Sequence, residues 1–185
     1  MEGVGDFFTP FLHMKSQLRD KINQFGKISE NIRSVPEVLD KVVSDNKDVL
    51  LSLNRDQMLL GRDADGEMFK PSYLQDPYFK TQAAAQSYAR MKYALEPSHK
   101  ALLWTPVQLY PDKDRNTANL IVTGLFQNGL FITAGGGSFD INSSYVASGD
   151  INRKYKGRVF GIAPKSKEYF FLELIKPTLL KHLGV

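Results

Sequence analysis

Leu130-Phe131-Ile132-Thr133-Ala134-Gly135-Gly136-Gly137-Ser138-Phe139-Asp140-Ile141-Asn142-Ser143-Ser144-Tyr145-Val146 is the stretch on which the fold class turns. Its first five residues form a short apolar run that reads as a strand. Three glycines follow and permit a sharp reversal. From Phe139 to Val146 apolar and polar residues alternate, the period of a half-buried strand. Two short strands across a glycine turn predict a small, mostly antiparallel sheet.

Everything outward from this sheet reads mainly as helix. Phe7, Phe8, Phe11, Leu12, Met14, Leu18, Ile22 and Phe25 fall largely at helical spacing. Asp6 or Thr9 can cap this helix, Pro10 sits in its tolerant first turn, and Gly26 should end it. From Ser34 to Leu60 runs a second apolar stripe. Ser34 and Glu37 fit a capping box, Pro36 stands at the start, and Asp45-Asn46-Lys47-Asp48 reads as a kink or an exposed turn. Thr81 should cap an alanine-rich helix that Pro97 stops. Residues 96–117 read as a long loop holding Trp104, either a core plug or a contact anchor. Asn119–Leu130 suits a short helix as well as a strand. Arg158–Ile162 reads as an ordered bridge. A last helix should start at Ser166 and kink at Pro177. The expected class is α+β, with the sheet and a hairpin packed against N-terminal, central and C-terminal helices. Residues 1–30 form a helical arm and 31–185 a single domain.

Composition narrows the chemistry. The 185 residues include no cysteine, which excludes thiol nucleophiles, Cys-ligated zinc, iron–sulfur clusters and disulfides. No run of about 20 apolar residues exists, so no membrane span is expected. The acidic N-terminus lacks the basic region of a secretory signal. The net charge of +4 is unevenly spread. Residues 1–75 carry 10 Lys+Arg against 12 Asp+Glu, whereas residues 150–185 carry 8 against 3. A basic end of this kind either meets phosphates or an acidic partner, or is simply a solvated face.

Catalytic patterns are not found. His13, His99 and His182 lie in separate segments, outside any HExxH or H-x-E setting. Gly136-Gly137-Ser138-Phe139 makes neither a nucleophile elbow nor a phosphate cradle. Asp63 and Asp65 before Gly66 suggest a calcium loop, but the glycine is fourth instead of sixth and Leu74 stands where the twelfth-position glutamate belongs. Asp65-Gly66 is better read as a hairpin turn. Arg153-Lys154-Tyr155-Lys156-Gly157-Arg158-Val159-Phe160 interleaves cations and aromatics, so it could stack bases in a nucleic-acid-binding accessory protein. No cofactor or metal is expected, and the chain reads as no enzyme.

Three segments taken in order carry a family resemblance. The first is Gly61-Arg62-Asp63-Ala64-Asp65-Gly66-Glu67-Met68-Phe69-Lys70-Pro71-Ser72-Tyr73, a G-x-D-x-x-G turn leading to P-x-Y. The second is Thr123-Gly124-Leu125-Phe126-Gln127-Asn128 before a strand. The third is Gly157-Arg158-Val159-Phe160-Gly161 leading to the last helix. Over about residues 50–185 the chain resembles the tail-completion or virion-morphogenesis proteins of tailed bacteriophages, in particular those of phages of Bacteroides-type hosts, crAss-like ones included. It departs from that pattern in having no histidine in Tyr145-Val146-Ala147-Ser148-Gly149 and Phe69 where a tryptophan is usual. The resemblance implies a non-enzymatic structural protein at the head–tail neck, a connector, tail-completion or terminator subunit. It would form a ring with copies of itself, contact portal, neck or tail proteins and passing DNA, and reside in the virion after assembly in the host cytoplasm. On that reading Gly61, Asp63, Gly66, Gly124 and Phe160 maintain the fold. Arg153, Lys154, Lys156 and Arg158 face a partner or DNA. Trp104, Tyr110, Asp112 and Arg115, together with the glycine turn 135–138, reach neighbouring subunits.

Overall fold

The computed structural model describes residues 9–100, 103–135 and 138–184. Phe7, Phe8 and the Gly136-Gly137 turn lie outside the described residues, as do the side chains of residues 9–18, Pro97, His99 and Lys100. Helix α1 spans Thr9–Arg33, α2 Val35–Asp45 and α3 Lys47–Leu59. A 3-10 turn, Tyr73–Gln75, precedes α4, Gln82–Lys100. Then come α5 (Leu125–Asn128), β1 (Leu130–Gly135), β2 (Ser138–Ser143) and α6 (Ser148–Lys154). The chain closes with α7 (Pro164–Phe170), a π-helical turn (Phe171–Ile175) and α8 (Lys176–Leu183).

The fold is α+β, and its sheet is the expected hairpin. β1 and β2 pair antiparallel with Leu130 opposite Ser143 and Ile132 opposite Ile141. Leu130 and Ile141 are buried, and β1 lies on α2 and α3. α3 is the centre of the core. Its Leu50, Leu53 and Met58 meet Phe69, Tyr73, Phe126, Val159 and Phe170.

Several expected boundaries move, each for a local reason. α1 runs through Gly26, where nothing stands within 4 Å of a would-be Cβ. A helical glycine costs about 1 kcal/mol against alanine, and no neighbour here turns the chain aside. α1 therefore crosses residue 30, the expected boundary between arm and domain. It ends where Asn31 Nδ2 donates to the His182 carbonyl at 3.0 Å and Ser34 Oγ meets His182 Nε2 at 2.9 Å. Ser34 consequently makes no capping bond to α2. The stripe from Ser34 to Leu60 divides at Asn46, whose side chain donates to Val42 O at 2.8 Å, so the kink reading holds. Thr81 Oγ1 accepts from Ala84 N at 3.2 Å and caps α4 as expected, but α4 passes Pro97 to Lys100. A proline deletes one helical hydrogen bond without reversing the backbone. The last helix begins at Pro164, not Ser166, because a proline needs no partner for an N–H it lacks. The π turn widens the helix just before Pro177, which cannot donate to the carbonyl four residues back.

The Asp65-Gly66 turn forms, but without flanking strands. Asp63 N donates to Glu67 O at 2.8 Å and a lone antiparallel bridge joins Arg62 to Met68. Gly66 takes φ +86°, the conformation the turn requires. Gly61 is constrained twice over. Its φ is +71°, and a Cβ there would stand 2.7 Å from Thr117 Cγ2.

Candidate functional site

Polar groups on α3 build the frame of every candidate site. Leu50, Leu53, Asn54 and Gln57 share one helical face, so two amides are carried into the core with two leucines. Asn54 Nδ2 donates to Gly161 O at 2.6 Å and Gln57 Nε2 to the same oxygen at 2.7 Å. Gln57 Oε1 accepts from Ala163 N at 2.9 Å. Asp56 holds a second segment: Trp104 N and Thr105 N each donate to its carboxylate at 2.8 Å, joined by the Thr105 hydroxyl. Burial raises the Asp56 pKa, and those hydrogen bonds oppose the rise without cancelling it.

The three segments behind the family resemblance meet on this frame. Ala64 N donates to Arg158 O at 2.8 Å. Arg158 Nη1 lies 3.2 Å from Asp65 Oδ2 and 3.8 Å from Asp63 Oδ2. Asp63 Oδ1 accepts from Asp65 N and Glu67 N, both at 3.0 Å, which uses the carboxylate inside its own turn. Among the described residues no group of three metal-ligating side chains forms. Gly161 packs so closely on Ala64 that a Cβ would come within 3.0 Å of it. Gly124, at φ +80°, opens α5, and Phe126 of α5 stacks obliquely on Phe160 at 5.9 Å. Arg158 thus ties its own turn to the turn at 63–65.

The basic aromatic string is not a strand. Arg153 and Lys154 end α6, and Lys156 follows in a turn at φ +57°. Tyr155 is buried against Phe69 with ring centres 4.8 Å apart, and Phe160 packs on the core. Neither ring faces outward for base stacking, because both supply apolar area the interior takes up. Three of the four cations already face carboxylates of this chain: Arg153 meets Asp150 at 2.9 Å, Lys154 pairs with Asp76, and Arg158 with Asp65.

The segment expected as a free loop is tied down. Tyr110 is buried, not outward, and its hydroxyl lies 3.3 Å from Ser166 N. Trp104 is partly exposed and carries Arg55 over its ring at 5.9 Å, while its backbone is held by Asp56. Lys113 pairs with Glu96. Asp114 accepts from the Thr117 hydroxyl at 2.7 Å, which leads the lowering of its pKa. Asp112 and Arg115 remain on the surface. Asp112 accepts from Gln108 at 3.2 Å, and Arg115 lies 3.7 Å over the Tyr93 ring.

A cavity of about 200 Å³ opens beside this frame, between the 3-10 turn, α4, α5 and α6. Tyr73, Tyr88, Phe126, Tyr145 and Tyr155 wall it, and Asp76, Lys92, Gln127 and Lys154 place polar groups on it. Tyr73 donates to Asn119 Oδ1 at 3.0 Å, and burial raises its pKa and that of Tyr155 well above the usual tyrosine range. Lys92 is 1% exposed, with its ammonium on the Ile121 carbonyl and over the Tyr73 ring at 5.7 Å. Burial lowers its pKa to about 8; Lys113 pushes the same way and Glu96 opposes.

Sequence reasoning missed these polar core groups. The signal existed. Lys92 stands at i+3 from Ala89 and i+7 from Ala85, on the buried side of α4, as Asn54 and Gln57 do on α3. A polar side chain at a core position of a helical stripe marks either a buried tie or a site. No family model, no curated protein and no solved structure matches this chain.

Proposed function

We propose that this chain is a non-enzymatic structural subunit of a tailed-bacteriophage virion, assembling as a ring at the head–tail neck or tail. The observation that supports the reading is the meeting of the three motif segments. The turn 61–66, the element 124–128 and the segment 157–161 lie far apart in sequence, yet Ala64–Arg158 and Phe126–Phe160 contacts join them, and Asn54 of α3 holds Gly161. Residues tied in this way hold a shape, which is what a ring subunit needs from them. Neighbouring copies in such a ring meet head to tail through interfaces that close. The surface available to neighbours includes Ile22, Phe25 and Ile32 on α1, and Val107, Asp112 and Arg115 on the segment 103–117. Lys156 and the partly exposed Arg158 would face an acidic partner or passing DNA. Among the described residues no helix is long and apolar enough to cross a membrane.

Cryo-electron microscopy of the phage particle tests the reading. Density for this fold, repeated around the tail axis at the neck or tail, is the expected result. Purified virions from which the protein is absent would overturn it.

A further inference from the structure

We infer that the cavity between the 3-10 turn, α4, α5 and α6 binds a small aromatic carboxylate, a single ring of benzoate size. This goes beyond the assembly reading and does not rest on it.

The first observation is a buried cation that no carboxylate among the described residues contacts directly, Glu96 acting on its charge only from beyond ion-pair distance. Lys92 lines the cavity at 1% exposure, and among the described residues no carboxylate lies within ion-pair distance of it. The two carboxylates nearby are taken: Asp76 by Lys154, Glu96 by Lys113. The ammonium has three donors and, among the described residues, one protein acceptor, the Ile121 carbonyl. Burying such a charge is unfavourable unless an anion joins it. A carboxylate supplies both the charge and the missing acceptors.

The second observation is an acceptor without a donor. Gln127, also 1% exposed, lines the same cavity, and its Oε1 has no hydrogen-bond partner among the described residues. Its Nε2 donates to Leu120 O at 2.9 Å. Lys92 and Gln127 therefore anchor on consecutive carbonyls of one turn, and Leu120 holds that turn at φ +56°. A bulky residue in the left-handed region is an outlier, and backbone strain of this kind clusters at functional sites. The unpaired amide oxygen would accept from a hydroxyl or amino group on the ring.

The remaining walls fit a flat apolar body. Tyrosine and phenylalanine rings line the cavity, and aromatic rings favour offset or edge contacts with another ring. An engineered apolar cavity of about 150 Å³ holds benzene, so about 200 Å³ leaves room for a carboxylate as well. Val122 and Leu125 stand exposed at the rim.

The test is calorimetric titration of the full chain with benzoate, 4-hydroxybenzoate and neutral benzamide at pH 7, with amide NMR shifts to locate the site. Both acids should bind with one-to-one saturation and shift residues 88–92 and 120–127, with benzamide weaker by about tenfold or more. Lys92→Met should abolish the preference for the acids. Leu125→Trp at the exposed rim should block all three ligands with an unchanged unfolding midpoint, which keeps the test decisive if Lys92→Met folds poorly. Benzoate affinity should fall between pH 7 and pH 9 as Lys92 loses its proton. The charged and titratable groups around Lys92 are Lys113, Glu96, Tyr73, Tyr88, Asp76 and Lys154. No saturation by either acid up to about 20 mM, benzamide binding as tightly as benzoate, or binding unaffected by Leu125→Trp would overturn the inference.

Discussion

α3 and α1 invert each other. α3 buries Asn54, Asp56 and Gln57, whereas α1 leaves Ile22 61% and Phe25 71% exposed. In α3 the buried polar atoms hold backbone groups of segments about 50 and 105 residues away, so they act as ties between parts of the chain. Among the described side chains of α1, hydrogen bonds to another element come at its last turn, where Asn31 and the adjoining Ser34 meet His182. The same rule governs both helices. A side chain is buried when another segment arrives to cover it, and its polarity decides only what the covering segment must offer.

The contrast can be broken by substitution. Asp56→Ala should have the largest effect. It strands the backbone N–H groups of Trp104 and Thr105, for a loss of about 3–5 kcal/mol in urea unfolding. A loss under about 1 kcal/mol would mean that the segment 103–105 finds other partners. Gly61→Ala should cost about 2–4 kcal/mol in the same measurement, since it adds strain at positive φ to a clash with Thr117.

Titration of Lys92 is the next largest effect. Its folded pKa lies below its unfolded value, so between them the unfolded chain binds the extra proton and stability rises with pH. The contribution is complete above the unfolded pKa and is lost as pH falls through about 8. Relative to Lys92→Met, the wild-type chain should gain about 1–2 kcal/mol between pH 8 and pH 9.5. Parallel stability curves for the two proteins would show that Lys92 titrates like an exposed lysine.

The surface substitutions sharpen the other side of the comparison. Arg158→Ala breaks an ion pair between half-exposed partners and should cost about 0–1 kcal/mol. Phe25→Ser should change the isolated chain's stability by under about 0.5 kcal/mol, because its ring is 71% exposed and little among the described residues covers it. A large loss there would place α1 against the body. Loss of ring assembly with stability intact is the result expected on the assembly reading.

Much of this architecture was legible in the residues. The hairpin at Leu130–Ser143 follows from a short apolar run before a glycine turn and period-two alternation after it, and the Asp65-Gly66 turn from conformations that residues with β-carbons resist. Helix boundaries were less legible. Gly26 and Pro97 are breakers by propensity, yet each weakens a helix by a local amount that the flanking turns outweigh. The polar core was the least legible. Asn54 and Gln57 sit at core positions of an apolar stripe, but the residues they hold, Gly161 and Ala163, are more than 100 positions away. The inward turn of Tyr155 and Tyr110 was likewise hidden, because an aromatic side chain suits a core and a contact surface equally.

The sequence by itself determined the α+β class, the hairpin, the capped start of α4, the exclusion of thiol chemistry and the basic end. Each depends on residue type or on spacing within one element. Only the tertiary structure decided that the basic string turns its rings inward and pairs most of its cations, that the long loop is pinned, and that Lys92 and Gln127 share one cavity wall. Those outcomes depend on which distant segment arrives against each side chain. Burial and pairing are properties of such encounters, and no local pattern encodes them.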